Sequence, residues 1–162
     1  MVGQYAHGNE PCHHMAYLYN YAGAPHKTQD RVRRLLDLEY DDQPDGLAGN
    51  EDCGQMSAWY VISSLGFYAV DPVSGNYVFG TPLFDRAEVK LKNGKTLVIE
   101  AKRNSPGDHF IQSMKFNGKP HDKLWFRHAD IVDGATIVFT LGSAPNPQFG
   151  TEPGAMPPSV AM

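Results

Sequence analysis

The sequence predicts an α+β chain with its helices first and its strands after. Three observations carry that reading. Up to Leu65, apolar residues recur at helical spacing. From Tyr68 onward they alternate in short runs punctuated by Asn-Gly turns. Over 147–162 the chain is rich in Pro and Gly with little apolar periodicity, which predicts a disordered tail. The expected division is therefore 1–67 helical, 68–146 antiparallel β, and 147–162 tail. Hydrophobic residues at 41% and charged residues at 20% are the balance of a globular chain.

The first helix is expected over 11–21, where Pro11 suits a first turn and Met15, Ala16, Leu18 and Tyr19 make a broad apolar face. Gly23-Ala24-Pro25 ends it. The second is expected over 28–39, with Thr28 as cap, Val32, Leu35 and Leu36 on the 3.6-residue period, and Arg31, Arg33 and Arg34 turned to solvent. The third is expected over 52–65, stopped by Gly66, with Trp59 and Tyr60 in the core. Short connections between such helices suit antiparallel packing. The segments 87–91 and 96–101 alternate around Asn93-Gly94 and read as a hairpin. A second hairpin is expected from 110–116, turning at Asn117-Gly118 and returning near Leu124-Trp125-Phe126. The last strand is expected over 136–141.

Charge narrows the function. Residues 1–84 carry 4 basic and 10 acidic side chains, a net of −6, whereas the remainder nets +2. No basic run interleaved with aromatics appears, so a nucleic-acid groove is not expected, and the acidic half suits a cation or a polar neutral ligand. No apolar stretch approaches a membrane span, and the start lacks a signal-peptide pattern. Two cysteines, Cys12 and Cys53, do not support a disulfide framework. One bridge between them would tie two loops together, but free buried thiols are the expected state. Cys12-His13-His14 lie too close in sequence to serve one zinc ion from a helix.

Two stretches carry the chemistry. The first is His7-Gly8-Asn9-Glu10-Pro11 with His13-His14-Met15-Ala16-Tyr17-Leu18-Tyr19. The second is Pro44-Asp45-Gly46-Leu47 with Gly49-Asn50-Glu51-Asp52-Cys53-Gly54-Gln55-Met56-Ser57-Ala58-Trp59-Tyr60. Each is a glycine-bearing polar loop that runs into an aromatic segment. Asn50, Glu51 and Asp52 stand in a row at a helix start. One of them is needed as an N-cap, and the others exceed what a cap requires. Asn9-Glu10 reads either as a capping pair or as part of a site. Each of His7, His13 and His14 reads as a packed histidine or a ligand contact. His109, His121 and His128 lie among strands and turns and carry no role.

These two motifs resemble the C-terminal part of glycoside hydrolase family 92, the calcium-dependent exo-α-mannosidases. Weaker echoes are Gly80-Thr81-Pro82-Leu83-Phe84, Asn104-Ser105 and Phe110-Ile111-Gln112-Ser113. His26 departs from the family, which usually has Trp there. The resemblance implies that this chain comprises the terminal helices of an (α/α)6 barrel and the strands that follow, as a fragment of an enzyme several times longer. It implies a secreted or periplasmic parent acting on mannose-containing glycans, with the missing N-terminal part of the enzyme as its partner. Hydrolysis with inversion needs two carboxyl groups about 6.5–9.5 Å apart across the sugar.

The resemblance makes Asp52 the general base, which a helix N-terminus would hold ionised. It puts the general acid in an upstream motif absent from this chain, so these residues alone are expected to be inactive. Asn9, Glu10, His7, Asn50 and Glu51 become substrate contacts, and Asn9, Glu10 and Asp52 become part of a calcium shell of hard oxygens. The rival reading is a non-catalytic carbohydrate-binding or interaction module. A weaker one is a metal-binding protein using the histidines.

Overall fold

A computed structural model describes residues 4–159. Two α-helices, α1 (Pro25–Leu38) and α2 (Gln55–Ser64), precede eight strands. The strands are β1 (Phe67–Tyr68), β2 (Asn76–Phe79), β3 (Arg86–Lys90), β4 (Thr96–Lys102), β5 (Phe110–Phe116), β6 (Lys119–Pro120), β7 (Trp125–Arg127) and β8 (Ala135–Gly142). The α+β reading holds, with helices first.

The first expected helix is absent as an α-helix. Its place is taken by two 3-10 turns, Glu10–Cys12 and Met15–Asn20. The reason lies in where one carbonyl goes. An α-helix would give the His13 carbonyl to the Tyr17 amide, but Trp59 Nε1–H takes it at 3.1 Å, and Tyr17 N–H bonds the His14 carbonyl at 3.0 Å instead. Asn20 then donates from Nδ2 to the Phe79 carbonyl at 2.6 Å, tying this segment to β2. The helix expected from Asp52 begins only at Gln55, because residues 52–54 all have positive φ.

The strands form a sheet in the order β1-β2-β7 and a second in the order β3-β4-β8-β5-β6. The hairpin at Asn93-Gly94 is present, with Val89 opposite Leu97. The expectation of an all-antiparallel unit needs correction at one pairing: β8 runs parallel to β4, Ile99 opposite Ile137, and antiparallel to β5 on its other side. The second hairpin also differs. From Asn117-Gly118 the chain returns only through Lys119–Pro120, and Pro120 offers no amide to extend the ladder. Trp125–Arg127 instead joins β2 in the other sheet.

The strand half buries Ile99, Ile111, Ile137 and Phe139 from the large sheet against Phe79, Phe126 and Leu124. A second cluster gathers Tyr17, Val32, Leu35, Leu36 and Trp59 and includes Val78 from β2, so the helical half and the small sheet share a core. Gln29 on α1 accepts the Ile111 amide of β5 at 2.9 Å, joining helix to large sheet across 82 residues.

Residues 147–159 depart from the expected disorder. Phe149 and Ala155 are buried, the Ala155 carbonyl accepts the Leu124 amide at 2.8 Å, and Gly150 sits where a Cβ would lie 2.4 Å from a Leu124 methyl. Single apolar residues set among Pro and Gly have no period to read, yet Phe149 joins the strand-half core and Ala155 and Gly150 sit against Leu124. Residues 160–162, also part of the expected tail, lie outside the described residues.

Candidate active site

The two motif loops meet backbone to backbone. A Cβ on Gly8 would stand 2.2 Å from the Ala48 carbonyl oxygen and 3.2 Å from Gly49 Cα, so only glycine permits the approach. That contact sets Asn9-Glu10 beside Asn50-Glu51-Asp52.

The start of α2 decides which acidic residue is the cap. The Gln55 amide bonds the Asp52 carbonyl at 3.3 Å, and the Met56 amide bonds the Glu51 carbonyl at 3.3 Å. The Ser57 amide bonds Glu51 Oε1 at 2.9 Å, and the Ala58 amide bonds the Gly54 carbonyl at 2.9 Å. The first-turn donors are thus met without the Asp52 carboxyl. Glu51 also accepts the Ser57 hydroxyl at Oε2, 2.7 Å away, and these two bonds lower its pKa. The side-chain cap is Glu51, reaching six residues forward, and not Asp52.

Asp52 (φ 47°) and Cys53 (φ 60°) occupy left-handed backbone ahead of Gly54 (φ 91°). For residues with a Cβ this conformation costs roughly 1–2 kcal/mol each. The turn leaves the Asp52 carboxyl near Glu10 on the other loop, where each carboxyl shifts the other's pKa.

That contact also corrects the electrostatic expectation for Asp52. The helix N-terminus does not depress its pKa: hydrogen bonding to Glu10 raises it, reinforced by the negative charge of Glu10. Glu10 shifts the other way, lowered by its own backbone amide and then by Asp52. Glu10 Oε1 is buried without a donor. Two acceptor groups face to face, one with an orphaned oxygen, need a proton or a cation between them. The hard-oxygen chemistry fits calcium better than a soft metal. Among the described residues no group of three or more His, Cys, Asp or Glu could hold a metal ion.

Behind the carboxyls lies a buried network whose hydrogens can be placed by elimination. Tyr40 O–H donates to the Met56 carbonyl at 3.1 Å, so Tyr40 accepts His7 Nε2–H at 2.7 Å, and His7 Nδ1 accepts Tyr5 O–H at 2.9 Å. His13 donates Nε2–H to the His7 carbonyl at 3.0 Å and accepts Gln55 Nε2–H at Nδ1, 3.1 Å away. Both imidazoles are neutral. The His7 ring stacks on His13 and meets Trp59 edge-on, with centroids 4.7 and 4.3 Å apart. Burial, with the His13 neighbour, pushes the His7 pKa down to about 4, and burial lowers that of His13.

Of the residues expected at a site, Glu10 and Asp52 come together and Glu51 stands beside them as the cap. Asn9 and Asn50 are exposed, with Asn9 Nδ2 on Cys12 Sγ at 3.6 Å. His7, at 1% exposure, is enclosed and does not present its ring to solvent. Cys12 and Cys53 are free as expected, although Cys12 is half-buried and Cys53 exposed rather than both buried. Sequence reasoning missed Tyr5, Tyr40, Gln55 and Ser57. Tyr40 lies inside an acidic stretch, between Glu39 and Asp41, and nothing in its neighbourhood marks it, whereas Ser57 lies one helical turn inside a recognised helix start.

A family model described as the glycosyl hydrolase family 92 catalytic domain matches residues 1–143. A family GH92 α-mannosidase from Bacteroides thetaiotaomicron superposes on the whole chain with a TM-score of 0.97 and 42% identity, the chain covering 22% of it. An inverting GH92 mannosidase from the same organism matches 96% of the chain at 40% identity and a TM-score of 0.89, with 21% of its own length covered. An uncharacterized secreted glycosidase of Arthroderma benhamiae is 30% identical over 159 residues, 94% of this chain and 20% of the relative. The chain spans about a fifth of the length of these relatives. With the family model matching most of its length, the chain belongs to glycosyl hydrolase family 92.

Proposed function

We propose that this chain is the C-terminal part of the catalytic unit of an exo-acting, secreted or periplasmic α-mannosidase that cleaves mannose-containing glycans with inversion. Asp52 is its general base. The observation that carries this reading is the release of Asp52 from capping: Glu51 satisfies α2, and Asp52 turns to Glu10 on the other motif loop. The likeness to an inverting mannosidase, and to an α-mannosidase solved with mannoimidazole, supports the substrate and the stereochemistry.

Calcium would be held in part by Glu10 and Asp52, with Asn9 beside them, and would supply ligation of sugar hydroxyls. Asp52 takes the proton of the attacking water. Neutralising the charge of Glu10 lets Asp52 remain ionised for that step. Asn50 is an exposed polar contact for the sugar, and His7 supports the loop from beneath. The general acid comes from a part of the protein outside these residues, so the 162-residue chain does not turn over mannosides by itself.

The test uses the full-length protein that contains this chain. Asp52→Asn keeps shape and deletes the base, so release of mannose from an α-mannoside should fall by about a hundredfold or more while mannose binding persists. NMR of the nascent sugar should show the β anomer first. Near-normal turnover by Asp52→Asn would refute the base, and the α anomer would refute inversion.

A further inference from the structure

We propose that Glu51 and Ser57 are positioning residues that hold Asp52 in its left-handed turn, and that Glu51 makes no contact with the sugar. The inference rests on the assignment of Asp52 as base. Both oxygens of Glu51 are committed, one to the Ser57 amide and one to the Ser57 hydroxyl, at 2.9 and 2.7 Å. Its carbonyl is committed too, to the Met56 amide at 3.3 Å. Glu51 is thereby fixed to the first turn of α2 at both its side chain and its main chain. The chain must still travel from Glu51 to Gln55, and it does so through Asp52, Cys53 and Gly54, all at positive φ.

A residue with a Cβ leaves that region readily, because extended or right-handed backbone is cheaper. The bonds at Glu51 and at the head of α2 oppose that escape. Loop 48–54 is also pinned at its other end by the Gly8 contact with Ala48 and Gly49. Asp52 therefore sits between two fixed points. The direction of its carboxyl follows from them, since the Asp52 side chain makes no bond to the first-turn amides of α2. A free Glu51 would be an obvious sugar contact. A Glu51 with both oxygens bonded to one serine is an anchor.

The experiment compares Glu51→Ala, Glu51→Gln and Ser57→Ala in the full-length protein. It reads kcat and KM on an α-mannoside, together with amide exchange over residues 50–60 by mass spectrometry. Glu51→Ala should lower kcat about tenfold or more with KM within about twofold, since a misdirected base affects the step and not the binding. Exchange over 50–60 should rise about tenfold. Glu51→Gln keeps an acceptor for the Ser57 amide and should recover most of kcat. Ser57→Ala removes only the hydroxyl bond and should fall between, which keeps the test usable if Glu51→Ala does not fold. A rise in KM with kcat unchanged would mean that Glu51 touches the sugar and would overturn the inference. So would unchanged kcat and exchange in both Glu51→Ala and Ser57→Ala. If the wild-type protein hydrolyses no mannoside, the mannosidase reading fails while the exchange comparison still decides whether the anchor exists.

Discussion

His7 donates Nε2–H to the Tyr40 hydroxyl across 2.7 Å, and that hydroxyl passes its own hydrogen to the Met56 carbonyl in the first turn of α2. The first motif loop is thereby tied to the helix that carries the second. Tyr40→Phe deletes both bonds and leaves a buried His7 donor unmet. It should destabilise the protein by about 1–3 kcal/mol, read as a lower urea midpoint with unchanged slope. An unchanged midpoint would show that the network is not needed to join the loops.

The same network makes stability fall in mild acid. His7 is neutral when folded, with its pKa pushed down to about 4, while the unfolded imidazole titrates near its ordinary 6.5. Between those values the unfolded state binds the extra proton, so stability rises with pH through that window. The contribution is fully present above about 6.5 and lost as pH falls toward 4. With solvent screening it is on the order of 2 kcal/mol. His13 and His121 shift in the same direction through burial. Melting temperature measured from pH 7.5 to 4 should drop, and His7→Gln should flatten the slope. A slope identical in His7→Gln would assign the effect elsewhere.

Gly8→Ala should separate the motif loops, because its Cβ would overlap the Ala48 carbonyl oxygen at 2.2 Å. Backbone cannot yield as a flexible side chain can, so a loss of about 2–4 kcal/mol is expected. Gly75→Ala is the control. It has open space but a φ of +69°, and should cost only about 1 kcal/mol. Equal losses in a thermal melt would remove the special standing of Gly8.

Phe149→Ala tests the ordered C-terminal stretch. Phe149 is 4% exposed in the strand core, and emptying its place should cost about 3 kcal/mol. A truly unstructured tail would tolerate the change without any shift of the melt.

For calcium, the full-length protein should lose mannosidase activity in excess chelator and regain it on adding calcium, given the hard-oxygen pair at Glu10 and Asp52. Undiminished activity in chelator would refute the calcium proposal.

Much of this fold was legible because its signals are local. The Asn93-Gly94 hairpin and the apolar period of α1 are set by neighbours within a few residues. What escaped was set from far away. The turn at Met15–Asn20 is 3-10 because Trp59, 46 residues on, takes the His13 carbonyl. The return of β5 stops short because β2 claims Trp125–Arg127. At the site, the acidic run was legible as a group, but which member caps α2 was not. The left-handed turn lets Glu51 reach Ser57, and no one-dimensional pattern encodes that turn.

The parallel pairing of β8 with β4 has a consequence for synthesis. β8 fills the central slot of its sheet, between β4 and β5, yet emerges from the ribosome after both. Until Ala135–Gly142 is available, β4 and β5 each present an open apolar edge, with Ile99 and Ile111 awaiting Ile137, Phe139 and Leu141. Such edges recruit other strands. A nascent or truncated chain ending before residue 135 should therefore depend on chaperones and be prone to aggregate, whereas one that includes β8 closes its own sheet.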